Sequence, residues 1–438
     1  MNFYKWLFPG LKIKRWFFVI CLGVFCTAEG LLMVQNGDLA TLIEMPLRNL
    51  IMNYTGIKSS ALIGIVIIII GVLIFILGFI RLMKNILNGI MPETHSKLGE
   101  KLLLHYQLKK GPKIVAIGGG TGLSTLLRGL KKVTSNITAI VAVTDDGGSS
   151  GRLRGDLGML PLGDIRNCLV ALADTENAIE RLFQYRFTKG SELAGHSLGN
   201  LLLAGLTQTT GNFADAVEEA SRVLAVRGRV LPVTLDNTVL TAEMADGRIV
   251  SGETSMVADQ GQIKRVFLNP SNCFPLKAAI DAILAADAII LGPGSLYTSI
   301  IPNLLVPGIA EAIKRSRGKV FYVCNIMTQP GETDGYTVSQ HINAIINHCG
   351  FNIFDSVIVN NEVISQKLIE KYREHGAEPV VCDYPNLKDL PVKVVECALS
   401  CQNDLARHDS YKLVRIIMAQ IQGAVSGFLN PVNKSFFL

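Results

Sequence analysis

The chain has 438 residues, of which 49% are hydrophobic and only 18% charged. Soluble globular chains carry about 25% charged residues, so this balance excludes a disordered or nucleic-acid-coating protein and points to one that carries membrane segments. The net charge of +6 is local, because residues 1–110 hold 12 Lys and Arg against 5 Asp and Glu, leaving 30 against 31 for residues 111–438.

A body so nearly neutral has no electrostatic footprint for DNA or RNA, and no nucleic-acid partner is expected. The nine cysteines include no CxxC pair, and the spacing of Cys397 and Cys401 has no His cluster beside it. Zinc and disulfide frameworks are therefore not expected, and a reducing compartment is.

The first element is an apolar run from Trp16 to Val34, long enough to span a bilayer but carrying Glu29. A carboxylate in lipid is costly unless it sits near an interface or is protonated. A cleaved signal peptide is the competing assignment, against which stands a second apolar run directly after it. That second run, residues 61–80, is 20 residues without a charge. At about 1.5 Å per residue it covers a hydrocarbon core of about 30 Å. The two form a transmembrane hairpin over residues 1–80.

Lys5, Lys12, Lys14 and Arg15 precede the first span; Arg81, Lys84, Lys97, Lys101, Lys109 and Lys110 follow the second; only Arg48 and Lys58 lie between. The excess of flanking positive charge places both termini on the cytoplasmic side of the membrane. Residues 81–112 are expected to be a partly helical connector that spaces the body from the bilayer.

From residue 113 onward, short apolar runs alternate with helical patterns, as in a Rossmann-like α/β body with a covered parallel sheet. The expected strands are 113–117, 137–144, 287–291, 319–324 and 353–360. Between about 229 and 269 the pattern becomes that of a small antiparallel β insertion, with Ala245-Asp246-Gly247 as a hairpin turn. In open parallel sheets ligands bind beyond the carboxyl ends of the strands, so the loops there carry the functional argument.

The loop after the first strand is Gly118-Gly119-Gly120-Thr121-Gly122-Leu123. Glycines admit close backbone approach and a helix N-terminus follows, which together suit a phosphate or diphosphate. Leu123 stands where a dinucleotide fingerprint needs its third glycine, and no Walker lysine follows, so dehydrogenase and P-loop chemistry are disfavoured. The second loop holds Asp145, Asp146, Gly147, Gly148 and Ser149. Its paired carboxylates suit sugar or ribose hydroxyls or Mg²⁺, and Arg152, Arg154 and Arg166 follow as neutralising charges. Asp164 is expected as an N-cap.

Gly195-His196-Ser197-Leu198-Gly199-Asn200 matches the nucleophile-elbow pattern, but the segment before it is too polar to be the buried strand an elbow requires. His196 and Asn200 are instead expected to face a polar ligand. A fourth loop, Gly292 to Ser299 with Gly294, Ser295 and Tyr297, repeats the strand, glycine turn and helix of the first. A fifth supplies Asn325 and Thr328 for base or sugar recognition. The central expectation is that the two glycine loops meet at one pyrophosphate pocket.

These motifs, in this order over about residues 113–420, resemble the YvcK family of gluconeogenesis-factor-like proteins, within the wider 2-phospho-L-lactate transferase group. The resemblance implies a Rossmann-like body that binds a UDP-sugar, UDP-N-acetylglucosamine foremost, in a bacterial protein associated with gluconeogenic growth, cell shape and allocation of cell-wall precursors. It also implies site roles for Tyr372, which suits stacking on uracil, and for Arg407 in Arg407-His408-Asp409, which suits a diphosphate. Phosphorylated members often carry Thr where this chain has Ser410, which keeps a hydroxyl. Many relatives lack the spans, whose purpose the resemblance does not explain.

The leading functional expectation is a membrane-tethered, non-catalytic UDP-sugar sensor. The alternative is an Mg²⁺-dependent transferase using a nucleotide diphosphate donor, with Asp145 or Asp146 on the metal. Besides the nucleotide sugar and the membrane, a second copy of the chain and cell-envelope proteins stay open as partners, and the catalytic and metal residues stay unassigned.

Overall fold

The computed structural model describes residues 13–35, 60–90, 98–174, 177–190, 192–402 and 405–422. Lys5, Lys12, Arg48, Lys58 and Lys97, which carry part of the charge argument, lie outside them. The chain divides into two compact units, residues 1–104 and 105–438.

The first unit contains two long apolar helices, Ile13–Gln35 and Ser60–Ile90. Their most apolar stretches, Lys14–Val34 and Ala61–Asn85, have mean hydropathies of 2.3 and 3.4 and are long enough to cross a membrane. The helices pack through small residues, since a Cβ on Gly30 would lie 2.7 Å from the Gly64 carbonyl oxygen, and one on Gly71 2.5 Å from Thr27 Oγ1. Such close backbone approach is how helices associate where lipid supplies no hydrophobic drive between them. The second helix runs ten residues past the Ile80 boundary expected from hydropathy, and Leu98–Lys109 is helical too.

The second unit is built on a seven-stranded, wholly parallel sheet. Its strands are β1 (Ile114–Gly118), β2 (Ile137–Val141), β3 (Arg229–Pro232), β7 (Ala288–Leu291), β8 (Lys319–Val323), β9 (Ser356–Asn360) and β10 (Lys393–Cys397), in the order β10-β9-β8-β7-β1-β2-β3. Strands such as β1 and β7 are buried along their whole length, which is why they appear in the sequence as unbroken apolar runs rather than alternating ones. The order reverses between β1 and β7. From there the two halves wind in opposite directions, so right-handed crossovers put the helices Gly120–Leu130 and Ile309–Arg315 on opposite faces.

A separate antiparallel sheet, ordered β5-β4-β6, is made by β4 (Val239–Met244), β5 (Ile249–Ser251) and β6 (Ile263–Asn269). The Gly247 amide closes the expected turn onto the Met244 carbonyl at 3.0 Å. The expected start of this insertion at about 229 is corrected: residues 229–232 pair in parallel with β2 as the edge of the main sheet. Strand β10 was absent from the expected set because Lys393 and Glu396 interrupt its apolar pattern at a sheet edge. A two-stranded hairpin of β11 (Ser400–Gln402) and β12 (Ala406–His408) completes the strands.

Candidate functional site

The reversal of strand order sets the glycine loops after β1 and β7 side by side. Their approach is at the limit of backbone contact, since a Cβ on Gly122 would lie 2.4 Å from the Pro293 carbonyl oxygen and one on Gly294 3.4 Å from that of Gly119. Buried Asn303 ties them together, donating through Nδ2 to the carbonyls of Gly118 (3.1 Å) and Ser299 (2.7 Å). The helix Gly120–Leu130 begins inside the first loop, with Gly120 at φ 63°. The amides of its first turn have no carbonyl within the helix to satisfy them and carry the positive end of its dipole.

A cleft of about 290 Å³ opens above the two loops. Its floor is Gly119, Gly120, Thr121 and Gly122 with Gly294 and Ser295; its wall is Asn325, Thr328 and Gln329 from the loop after β8; Tyr372 and Arg407 close the far side. The wall is fixed by a relay in which Asn325 Nδ2 donates to Gln329 Oε1 (3.1 Å) and Gln329 Nε2 to Ser295 Oγ (2.8 Å). Thr328 Oγ1 accepts from the Glu378 amide at 2.9 Å. Tyr372 packs against an apolar cluster containing Ile326, Met327, Leu368 and Ala406.

Arg407 sits on the β11–β12 hairpin, exposed, and pairs with no carboxylate among the described residues. His408 beside it is anchored, its Nε2–H donating to the Cys324 carbonyl at 3.1 Å, and burial pushes its imidazole down to about 4. A neutral His408 thus fastens the hairpin to the end of β8 and aims Arg407 at the cleft. Ser410 opens the helix that follows, capped by Asp409, whose Oδ1 accepts from the amides of Tyr411 (2.9 Å) and Lys412 (3.0 Å).

Ten of the residues singled out from sequence therefore line one cleft. Others do not. Gly118 and Gly292 lie beneath it, and Leu123 and Tyr297 are core side chains, the latter 2% exposed with its hydroxyl against that of Tyr336 at 2.9 Å. Asp145, Asp146, Gly147, Gly148, Ser149, His196 and Asn200 form a separate polar cluster. Asp145 Oδ1 accepts from the Gly147 amide (2.8 Å), and Asp146 Oδ1 from the amide (2.9 Å) and hydroxyl (2.7 Å) of Thr254. His196 and Asn200 turn inward to Ser149 Oγ at 3.0 and 3.1 Å. Ser197 is the N-cap of the helix Leu198–Thr210 and accepts from Arg166, which accounts for the elbow-like motif without a nucleophile.

Asp164 is not the N-cap expected from sequence. It accepts from the Gly120 amide beneath the cleft, and its Oδ2 would lie 2.5 Å from a Cβ on Gly119. Burial raises its carboxyl to about 6. Burial likewise raises Glu332, which accepts from the Tyr297 amide and the Thr298 hydroxyl, to about 7. Half-buried Glu253 is pushed up to about 9, first by burial and then by the charges of Asp145, Glu332, Asp164 and Asp146. Among the described residues no three His, Cys, Asp or Glu side chains converge to hold a metal ion. Asp145 and Asp146, the expected magnesium donors, already accept the bonds from Gly147 and Thr254 described above. Ser299 and Gln329, from the fourth and fifth loops, also line the cleft, as does Thr125, which was missed; the signal for Thr125 was its place one helical turn beyond Thr121.

Carboxyls raised this way destabilise the fold as pH rises, because the native state keeps a proton that the unfolded chain releases near pH 4.5. The loss for Glu253 begins there and ends above about 9, costing at most about 1.4 kcal/mol per pH unit. Asp164 and Glu332 add to it only below about 6 and 7. The melting temperature is expected to fall from pH 5 to pH 9, and Glu253→Gln to flatten the curve between pH 7 and 9; a variant with the same slope there would show that this carboxyl ionises normally.

A family model described as 2-phospho-L-lactate transferase CofD matches residues 114–400, which contain the seven-stranded sheet and the glycine loops of the cleft but not Arg407. The chain belongs to the CofD family. It is 46% identical over 430 residues to a putative gluconeogenesis factor of a Nostoc species, covering 97% of this chain and 94% of the relative. It is 52% identical over 308 residues to the gluconeogenesis factor of Bacillus subtilis, covering 70% of this chain and 97% of that one. A crystal structure of a Bacillus halodurans protein, 53% identical, superposes with a TM-score of 0.69 over 70% of this chain and all of that one. The CofD-family body is thus found in relatives spanning nearly the whole chain and in shorter ones matching 70% of it.

Proposed function

We propose that this CofD-family protein binds a UDP-sugar, UDP-N-acetylglucosamine foremost, and acts as a regulator of the gluconeogenesis-factor kind at the bacterial cytoplasmic membrane, where it adjusts carbon use, cell-wall precursor supply and cell shape. The supporting observation is the cleft itself: two glycine loops meet at the strand-order reversal, beneath an arginine with no carboxylate partner among the described residues and beside an aromatic side chain. First-turn amides and a guanidinium fork suit a diphosphate, and the Tyr372 ring with Asn325 and Gln329 suits a pyrimidine. The two apolar helices tether the body, both termini being cytoplasmic by the charge argument.

Isothermal titration of the full chain in detergent micelles is expected to show saturable binding of UDP-N-acetylglucosamine and UDP-glucose, and weaker binding of GDP and ADP. Absence of heat with every uridine nucleotide would overturn the proposal. A transferase reading draws on the family description and on the raised carboxyls of Asp164 and Glu332 next to the cleft. Turnover of a nucleotide donor with Mg²⁺, followed by mass spectrometry, would decide for it.

A further inference from the structure

The cleft does not end at Thr121, Thr125 and Arg407. A second cleft of about 270 Å³ shares these three residues and continues between Arg128, Asn167, Glu180 and Gln184. The two differ in chemistry. The first has apolar and aromatic lining at its far end, from Ile326, Met327 and Tyr372, whereas every residue lining the second is polar or charged. A base stacked on Tyr372 and a diphosphate at the shared residues would leave the remaining part of a nucleotide sugar pointing into this second space.

Its polar groups are held in place. Glu180 pairs with Arg128, which cancels both charges, and its Oε1 also accepts from Gln184 Nε2 at 3.3 Å. The second carboxylate oxygen and the Gln184 carbonyl oxygen remain as acceptors for hydroxyls. Asn167 Oδ1 accepts from Arg166 Nη2 at 2.9 Å, which leaves the Asn167 amide N–H groups to donate. Arg166 is itself fixed by Asn200 Oδ1 at 2.9 Å and by Ser197, and Asn200 by Ser149. The Gly195–Asn200 motif, which lies away from the first cleft, thereby reaches the second one through Arg166 and acts as a positioning element.

We propose that this second cleft is a sugar subsite, taking the neutral pyranose of a nucleoside-diphosphate sugar, with Asn167, Glu180 and Gln184 reading its hydroxyl or amide substituents. The assignment rests on the nucleotide-sugar reading of the first cleft. It is tested by titrating the full chain in micelles with UDP, UDP-glucose and UDP-N-acetylglucosamine, comparing wild type with Asn167→Ala and Gln184→Ala. Wild type should bind at least one UDP-sugar more tightly than UDP. Each variant should lose about tenfold in affinity for that sugar nucleotide while binding UDP within about twofold of wild type.

Gln184 is an exposed helix residue whose truncation spares the core, so its variant decides the matter if Asn167→Ala fails to fold. Equal wild-type affinity for UDP and both UDP-sugars, unchanged sugar-nucleotide affinity in the Gln184 variant, or a parallel loss of UDP binding there would overturn the subsite. Failure of wild type to bind any uridine nucleotide would instead remove the nucleotide reading on which it rests.

Discussion

Gly122→Val is expected to abolish UDP-sugar binding and to lower the melting temperature by roughly 5–10 °C. The glycine loops after β1 and β7 touch at this point, with the Pro293 carbonyl oxygen 2.4 Å and its carbon 2.8 Å from where the Cβ would stand. No rotamer relieves a clash with backbone, so the loops must part, at a cost of about 3 kcal/mol or more. Gly120 makes the informative contrast. It has open space around it, with no atom nearer than 3.9 Å to an added Cβ, but its φ of 63° is left-handed. Gly120→Ala should therefore cost only about 1–2 kcal/mol, as strain. Calorimetric melting of both variants separates the two effects, and equal losses would show that the loops do not press on each other.

Arg407→Ala should weaken UDP-sugar binding by about 1.5–3 kcal/mol, roughly ten- to 150-fold, while leaving the melting temperature unchanged. The stability expectation follows from its exposure and its lack of a carboxylate partner among the described residues. The affinity expectation follows from its place opposite the glycine loops, with His408 fastening the hairpin beneath it. His408→Ala should weaken binding as well, but with a lower melting temperature, because it removes the half-buried anchor bonded to the Cys324 carbonyl. Titration and melting of the two variants check this, and an Arg407 variant with wild-type affinity would take the guanidinium out of the site.

Much of this was legible in the chain. The parallel sheet showed as apolar runs because strands covered on both faces need no polar alternation. The glycine loops showed because their composition exceeds what a turn requires. The errors fall where local pattern and tertiary role part. Tyr297, in a glycine-loop motif, is core because the turn after Ser295 rolls its ring under Tyr336. Asp164 looked like a helix cap and instead holds the Gly120 amide. Strand β10 was hidden by edge charges, and the Asp145–Ser149 loop ends at a neighbouring strand tip whose carboxylates are bonded to Gly147 and Thr254 rather than turned into the cleft.

By itself the sequence determined the two apolar helices, the α/β class and the loop chemistry, since length, hydropathy and glycine content act locally along the chain. Which loops share a cleft was decided only by tertiary structure. Strand order is a long-range pairing choice, and the reversal between β1 and β7 brings together residues more than 170 positions apart. The hairpin carrying Arg407 is fastened to the end of β8 by the half-buried His408.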